Sequence, residues 1–227
     1  MKNNRFVALV LVPGFFLIAV FVVFPVIYGL GISFYDYNPA NSSNPFIGWE
    51  NYRAMLHHPT FWKALKNTVF FGCIALAMNL VITLFLAQII SVLPSKRWKT
   101  FFRTILFIPC IAPVVGTSMI WKFGFVATDG IINQVLSNFG FSPKNWYLTT
   151  WPMLVIIAIY TLWADMGYNV VLFSAGAENV PKEFEEAATI DGASSFQRFL
   201  YVKLPLMGRN FVFVAIMTMA DYFQMFT

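Results

Sequence analysis

Charge is scarce in this chain, and its scarcity excludes more than any motif does. Of 227 residues 11% are charged and 59% hydrophobic, with 26 Phe and a mean hydropathy of +0.68. A water-soluble domain with so little charge would expose too much apolar surface to stay dispersed, so the chain is expected in a membrane. Cysteine is limited to Cys73 and Cys110, both inside apolar runs. That excludes a disulfide-stapled scaffold and reads as two small buried hydrophobes, with no bearing on redox compartment. The only histidines are the adjacent His57 and His58, with no third ligand in view, so no metal site is expected. No Gly-Lys pair occurs, so the Walker-type phosphate loop is absent and any ATP hydrolysis is expected on a separate subunit. Neither His-Glu-x-x-His nor Gly-x-Ser-x-Gly is present, which leaves an intramembrane enzyme without support. The net charge of +5 does not point to nucleic acid, because the basic residues sit at the ends of apolar runs and form no stripe with interleaved aromatics.

What the chain does have is long apolar runs, near Phe6 to Phe34, Thr68 to Leu93, Phe102 to Phe123, Trp151 to Phe173 and Phe211 to Thr227. A bilayer core of about 30 Å needs about 20 such residues per helix, whereas membrane-barrel strands would alternate polar and apolar positions. The expected fold is therefore all-α, a polytopic transmembrane helix bundle of about five spans. The first run is too long for a signal-peptide core and reads as a retained span. Lys2, Arg5, Lys96, Arg97, Lys99, Arg103, Lys182, Arg198, Lys203 and Arg209 fall on one side, which by the positive-inside bias is the cytoplasm and holds the N-terminus. The outer side carries fewer cations, short surface helices near Trp49 to Leu56 and Ile131 to Phe139, and interfacial Trp residues such as Trp121 and Trp146. Three regions are expected: an N-terminal transmembrane helix over 1–34, an external loop with an amphipathic helix over 35–67, and a core over 68–227.

Between Glu178 and Arg209 lie nine ionisable residues, too many for a segment resting in hydrocarbon. Pro181 fits a first helical position, Glu183, Glu185 and Glu186 suit a positive helix N-terminus, and Val180, Phe184, Ala187 and Ala188 share one face. Asp191-Gly192 breaks this helix with the residue that tolerates positive φ, and Ser194 with Gln197 spells a capping box for a second one. The segment over 178–209 is thus a helix, a tight turn and a helix outside the bilayer.

This stretch, EAATIDGASSFQRFLYVKLP, resembles the EAA loop of ABC importer permeases of the binding-protein-dependent type. Glu186, Ala187, Ala188, Gly192, Val202, Leu204 and Pro205 fit every element of that pattern without a gap. Segments 46–68, 101–123, 130–141 and 171–193 look like the corresponding parts of sugar-type permeases, similar to the maltose-transporter permease family without its large external domain. The resemblance implies a subunit of the bacterial inner membrane that translocates a sugar or related carbohydrate. It implies three kinds of partner besides lipid: a second permease, an ABC ATPase dimer holding ATP and Mg, and an external solute-binding protein. Glu186, Ala187, Ala188, Asp191, Gly192, Leu204 and Pro205 would couple ATPase to membrane helices, with Leu204-Pro205 ending the second helix. Members of the family usually run past a motif like Phe223 to Phe226 into one more span, and the present sequence is expected to lack it, as a fragment, a short gene product or a chain whose last helix is supplied elsewhere.

Two acids interrupt the runs, Asp165 in YTLWADMGYN and Asp221 in MADYFQMF. Each is expected to face a cavity or a partner helix, since an ionised carboxylate against lipid is costly. With Tyr168, Asn169 and Gln224 they form a candidate substrate pathway. The alternative function is an ion-gradient-driven transporter or channel using Asp165 and Asp221 as its ion sites, against which the EAA loop argues.

Overall fold

The computed structural model describes residues 2–40, 43–127 and 129–225. Phe226 and Thr227, where the fifth apolar run ends, lie outside them. The described chain is helical, with one isolated bridge between Tyr35 and Phe46. It divides into two compact units between Leu65 and Lys66.

The first unit opens with α1 (Lys2–Ile18), which passes through a π-helical turn at Ala19–Val23 into α2 (Phe24–Ile32). The wide turn sits just before Pro25, whose missing N–H and bulky ring a regular α-turn does not accommodate. A loop then leads to α3 (Glu50–His57). Asn51 donates to the carbonyls of Ser33 and Tyr35 at 2.9 and 3.0 Å, and Ser33 shares a 2.6 Å hydrogen bond with the Tyr52 hydroxyl.

Helix α4 (Pro59–Ser91) spans 33 residues, about 50 Å of rise. In the second unit it is followed by α5 (Lys96–Ile111), α6 (Val114–Gly124) and the short α7 (Ile131–Asn138). Next comes α8 (Thr150–Glu178), and then α9 (Lys182–Ile190) and α10 (Ser195–Arg198). A π-helical turn at Phe199–Lys203 leads to α11 (Leu204–Leu206) and α12 (Gly208–Phe223). Three stretches are long and apolar enough to cross a membrane unbroken: Leu9–Ile32, Pro59–Ser91 and Thr150–Glu178. The number rises to five when each of two bent pairs is taken as one crossing.

The run read as one straight span over Phe102 to Phe123 is instead broken, α5 and α6 meeting at 91°. Pro113 disfavours helix at Ala112, which is extended at φ −73° and ψ 142°, and it offers no N–H to continue the ladder. The second corner lies at Met207, where the chain turns by 75°. Pro205 therefore does not end the helix that begins at Ser195. The π turn absorbs it, and the corner falls two residues later.

Helix α8 is the centre of this unit. Its Gly167 lies so close to α5 that a Cβ there would stand 2.1 Å from the Leu106 carbonyl oxygen, so α5 and α8 touch backbone to backbone. Two apolar clusters tie α8 to α4 and α12. One includes Ala87, Ile90, Val170, Phe173 and Val214, and the other Phe71, Ala75, Leu154, Ala158 and Tyr222. Within α7, Asn133 is buried and staples the flanking loops, donating to the carbonyls of Val126 and Lys144 and accepting from the Trp146 indole at 3.0 Å.

Candidate functional site

Two places in the second unit gather functional side chains, and α8 reaches both. The first is the charged loop after Glu178. Pro181 is the N-cap of α9 and not its first residue, at φ −60° and ψ 134°, and Glu183 and Glu185 occupy the first turn beside the positive helix end. Val180 is buried but precedes the helix, while Phe184 is exposed, so the expected single apolar face does not close. The helix stops at Gly192, whose φ of +80° lets the Ala193 amide turn back to the Ala188 carbonyl at 2.9 Å. Ser194 then starts α10 with a complete capping box. Its hydroxyl accepts from the Gln197 amide at 3.3 Å, and the Gln197 side chain accepts from the Ser194 amide at 2.8 Å.

Two ion pairs anchor this loop. Lys203 is 6% exposed and its ammonium meets the Glu185 carboxylate at 3.0 Å, joining the π turn to α9. Arg103 of α5 pairs with Glu178 at the end of α8. Behind α9 lies a recess of about 510 Å³ lined by Lys99, Glu178, Glu185, Glu186, Arg198 and Lys203, among others. Apolar side chains of the loop are exposed as well: Ile190 is 88%, Phe196 68% and Tyr201 72% exposed. Glu186, Ala187, Asp191 and Gly192 are exposed with them, and Ala188 is half-buried. A stiff, capped unit with bare apolar side chains among its charges is suited to docking against another protein.

The second place is a partly open cavity of about 290 Å³ between α5, α8 and α12. Asp165, Tyr168 and Asn169 line it from α8, at the i, i+3 and i+4 positions of one face, and Met217, Thr218, Asp221 and Tyr222 from α12. Phe107 and Cys110 close it from α5, just ahead of the break. Four of the five expected pathway residues thus converge. Gln224, at the C-cap of α12, is not among the lining residues. Neither cysteine is a buried core residue, since Cys73 is exposed and Cys110 faces the cavity.

Sequence reasoning missed what holds the cavity wall. Asn79 of α4 is fully buried and donates to the Tyr222 hydroxyl at 2.6 Å. Asn169 donates to the Asn79 side-chain oxygen at 2.7 Å and to the Thr218 hydroxyl at 3.0 Å, and Thr83 donates to the Asn79 carbonyl at 2.6 Å. This chain of neutral hydrogen bonds locks α4, α8 and α12 together, where unmet polar groups in hydrocarbon would be costly. A lone Asn in the apolar run around position 79 was its signal. The cavity therefore offers aromatic rings, hydroxyls, an amide and two carboxylates, with no cationic side chain in its wall. Such a lining suits a polyhydroxylated solute, whose hydroxyls donate to the acids and whose ring faces stack on tyrosine.

A helical, multi-span bundle with a cavity that carries two carboxylates and a rigid charged loop outside its apolar segments belongs to the class of membrane transport subunits. Residues 79–227 match the binding-protein-dependent transport system inner membrane component, and the chain belongs to that family. It is 34% identical over 211 residues to an arabinooligosaccharides transport system permease of Bacillus subtilis, covering 91% of this chain and 65% of that protein. It is 31% identical over 216 residues to a lactose transport system permease of Rhizobium radiobacter, covering 94% and 71% respectively. Its fold is similar to a chain in the crystal structure of a bacterial ABC transporter involved in alginate import. The TM-score is 0.84 at 19% identity, over 99% of this chain and 75% of that one.

Proposed function

We propose that this chain is one of two permease subunits of an ATP-driven importer, translocating a sugar or related carbohydrate handed over by an external solute-binding protein. ATP and Mg are bound by a separate ATPase dimer, on the side that also holds the N-terminus of this chain. The observation that carries this reading is the capped helix–turn–helix with Ile190, Phe196 and Tyr201 bare on its outer surface. Exposed apolar side chains on a rigid, capped unit support docking into a groove of an ATPase subunit. Closure of that dimer would swing the loop as a rigid body, and α8 would pass the rotation to the wall of the cavity. Glu186, Ala187, Ala188, Asp191, Gly192, Leu204 and Pro205 are the proposed coupling residues. Asp165, Tyr168, Asn169 and Asp221 are the proposed pathway, and Gln224 stands at its edge.

The carbohydrate cargo is supported by the names of several relatives and by the hydrogen-bonding character of the cavity. Uptake in proteoliposomes containing the whole complex tests the proposal. Accumulation should require internal ATP and survive an uncoupler. Uptake that ignores ATP and collapses with the uncoupler would instead assign Asp165 and Asp221 to an ion gradient.

A further inference from the structure

The first turns of α5 carry four cations in eight residues, Lys96, Arg97, Lys99 and Arg103, and the helix contains no acid. Two of them have partners: Lys99 donates to the Ser91 carbonyl at 2.6 Å, and Arg103 pairs with Glu178. The side chains of Lys96 and Arg97 have no partner among the described residues. They flank an open recess of about 640 Å³ completed by Thr100 and Phe101. From Arg97 the same helix face continues through Phe101, Ile105 and Ile108, at 50%, 45% and 55% exposure. Trp98, itself 55% exposed, packs against Phe101 and widens the upper end.

The dimensions of this face are those of one leaflet. The eleven steps from Arg97 to Ile108 rise about 16 Å, and half of a core of about 30 Å is about 15 Å. Two unpaired cations therefore stand at headgroup depth, with an uninterrupted apolar stripe one acyl chain long beneath them. We propose that α5 holds an anionic phospholipid, its phosphate between Lys96 and Arg97 and a chain along Phe101, Ile105 and Ile108. A zwitterionic lipid fits less well, because α5 carries four cations and no acid of its own, which favours a headgroup of net negative charge. A soluble anion would use the cations and leave the stripe without function.

The site sits where Lys99 and Arg103 fasten α5 to the ends of α4 and α8, so bound lipid would brace the base of the charged loop. It is tested by native mass spectrometry of the purified importer complex with phosphatidylglycerol or phosphatidylcholine of equal chain length. At about fivefold per cation, the anionic lipid should be retained about 25-fold more strongly. Lys96→Gln with Arg97→Gln should bring the two lipids level, and Lys96→Arg with Arg97→Lys should keep the preference. Phe101→Ala with Ile105→Ala should weaken both lipids alike. The proposal is overturned by equal retention in the unaltered complex, by a preference that survives in the double glutamine variant, or by displacement of the lipid with inorganic phosphate. It is equally overturned if no lipid is retained because the second permease covers this face.

Discussion

At Gly192 a side chain would meet open space, with nothing within 4 Å of an added Cβ, yet φ is +80°. Its constraint is its own backbone, not a neighbour. Gly192→Val should therefore strain the turn by about 1–3 kcal/mol and misdirect α10 while membrane insertion persists. Substrate-stimulated ATP hydrolysis by the reconstituted complex should fall sharply in Gly192→Val, and unchanged stimulation would refute the coupling role. The Lys203–Glu185 pair makes an asymmetric prediction, because the lysine is buried and the glutamate side chain is 36% exposed. Glu185→Gln leaves the mostly buried ammonium without its counter-charge, a change whose cost stays below the roughly 3–5 kcal/mol of a fully buried pair because the recess beside it admits water. Lys203→Met leaves behind a carboxylate that water can still reach. Thermal unfolding of the purified complex should thus show a larger loss for Glu185→Gln than for Lys203→Met. At Asp165 the expectation is functional: Asp165→Asn should alter apparent substrate affinity and leave uptake ATP-dependent.

Helix contacts set the next level of constraint. Gly167 presses on the α5 backbone, so even Gly167→Ala must push α5 away from α8, whereas Gly116 has nothing within 4 Å and Gly116→Ala should be tolerated. The melting temperature of the complex should drop for the first substitution and hold for the second. The elements were unevenly legible in the sequence. The helix after Pro181 and the turn at Gly192 follow from local chemistry, as does the capping box at Ser194, so residue identity alone suffices to read them. The right-angle break at Ala112-Pro113 was hidden because hydropathy is continuous across it, although Pro109 and Pro113 were in plain view. Both π turns likewise had a signal, in Pro25 and Pro205. Asking where the backbone hydrogen bonds near each proline go would have located them.

For the whole molecule, the family was readable because the loop pattern is rigidly spaced and lies in one segment. The cavity was only half readable. Asp165 and Asp221 announce themselves as acids in apolar runs, but Asn79, Thr83 and Thr218 acquire meaning only once three helices converge. The proposed orientation is checked by labelling. In a variant lacking Cys73 and Cys110, an impermeant thiol reagent should reach Lys182→Cys only from the cytoplasmic side and Ser137→Cys only from outside. The reverse pattern would invert the bundle and remove the loop from any ATPase. One further consequence lies in the length of α8. Asp165 and Glu178 share this unbroken helix, about 20 Å apart, so their angular phase is fixed by the thirteen steps between them. Inserting one residue in that interval would rotate one end by about 100° against the other, aiming Glu178 away from Arg103 while Asp165 stayed in the cavity. The residue count of this interval is therefore as constrained as the identities of Gly167 and Asn169 within it.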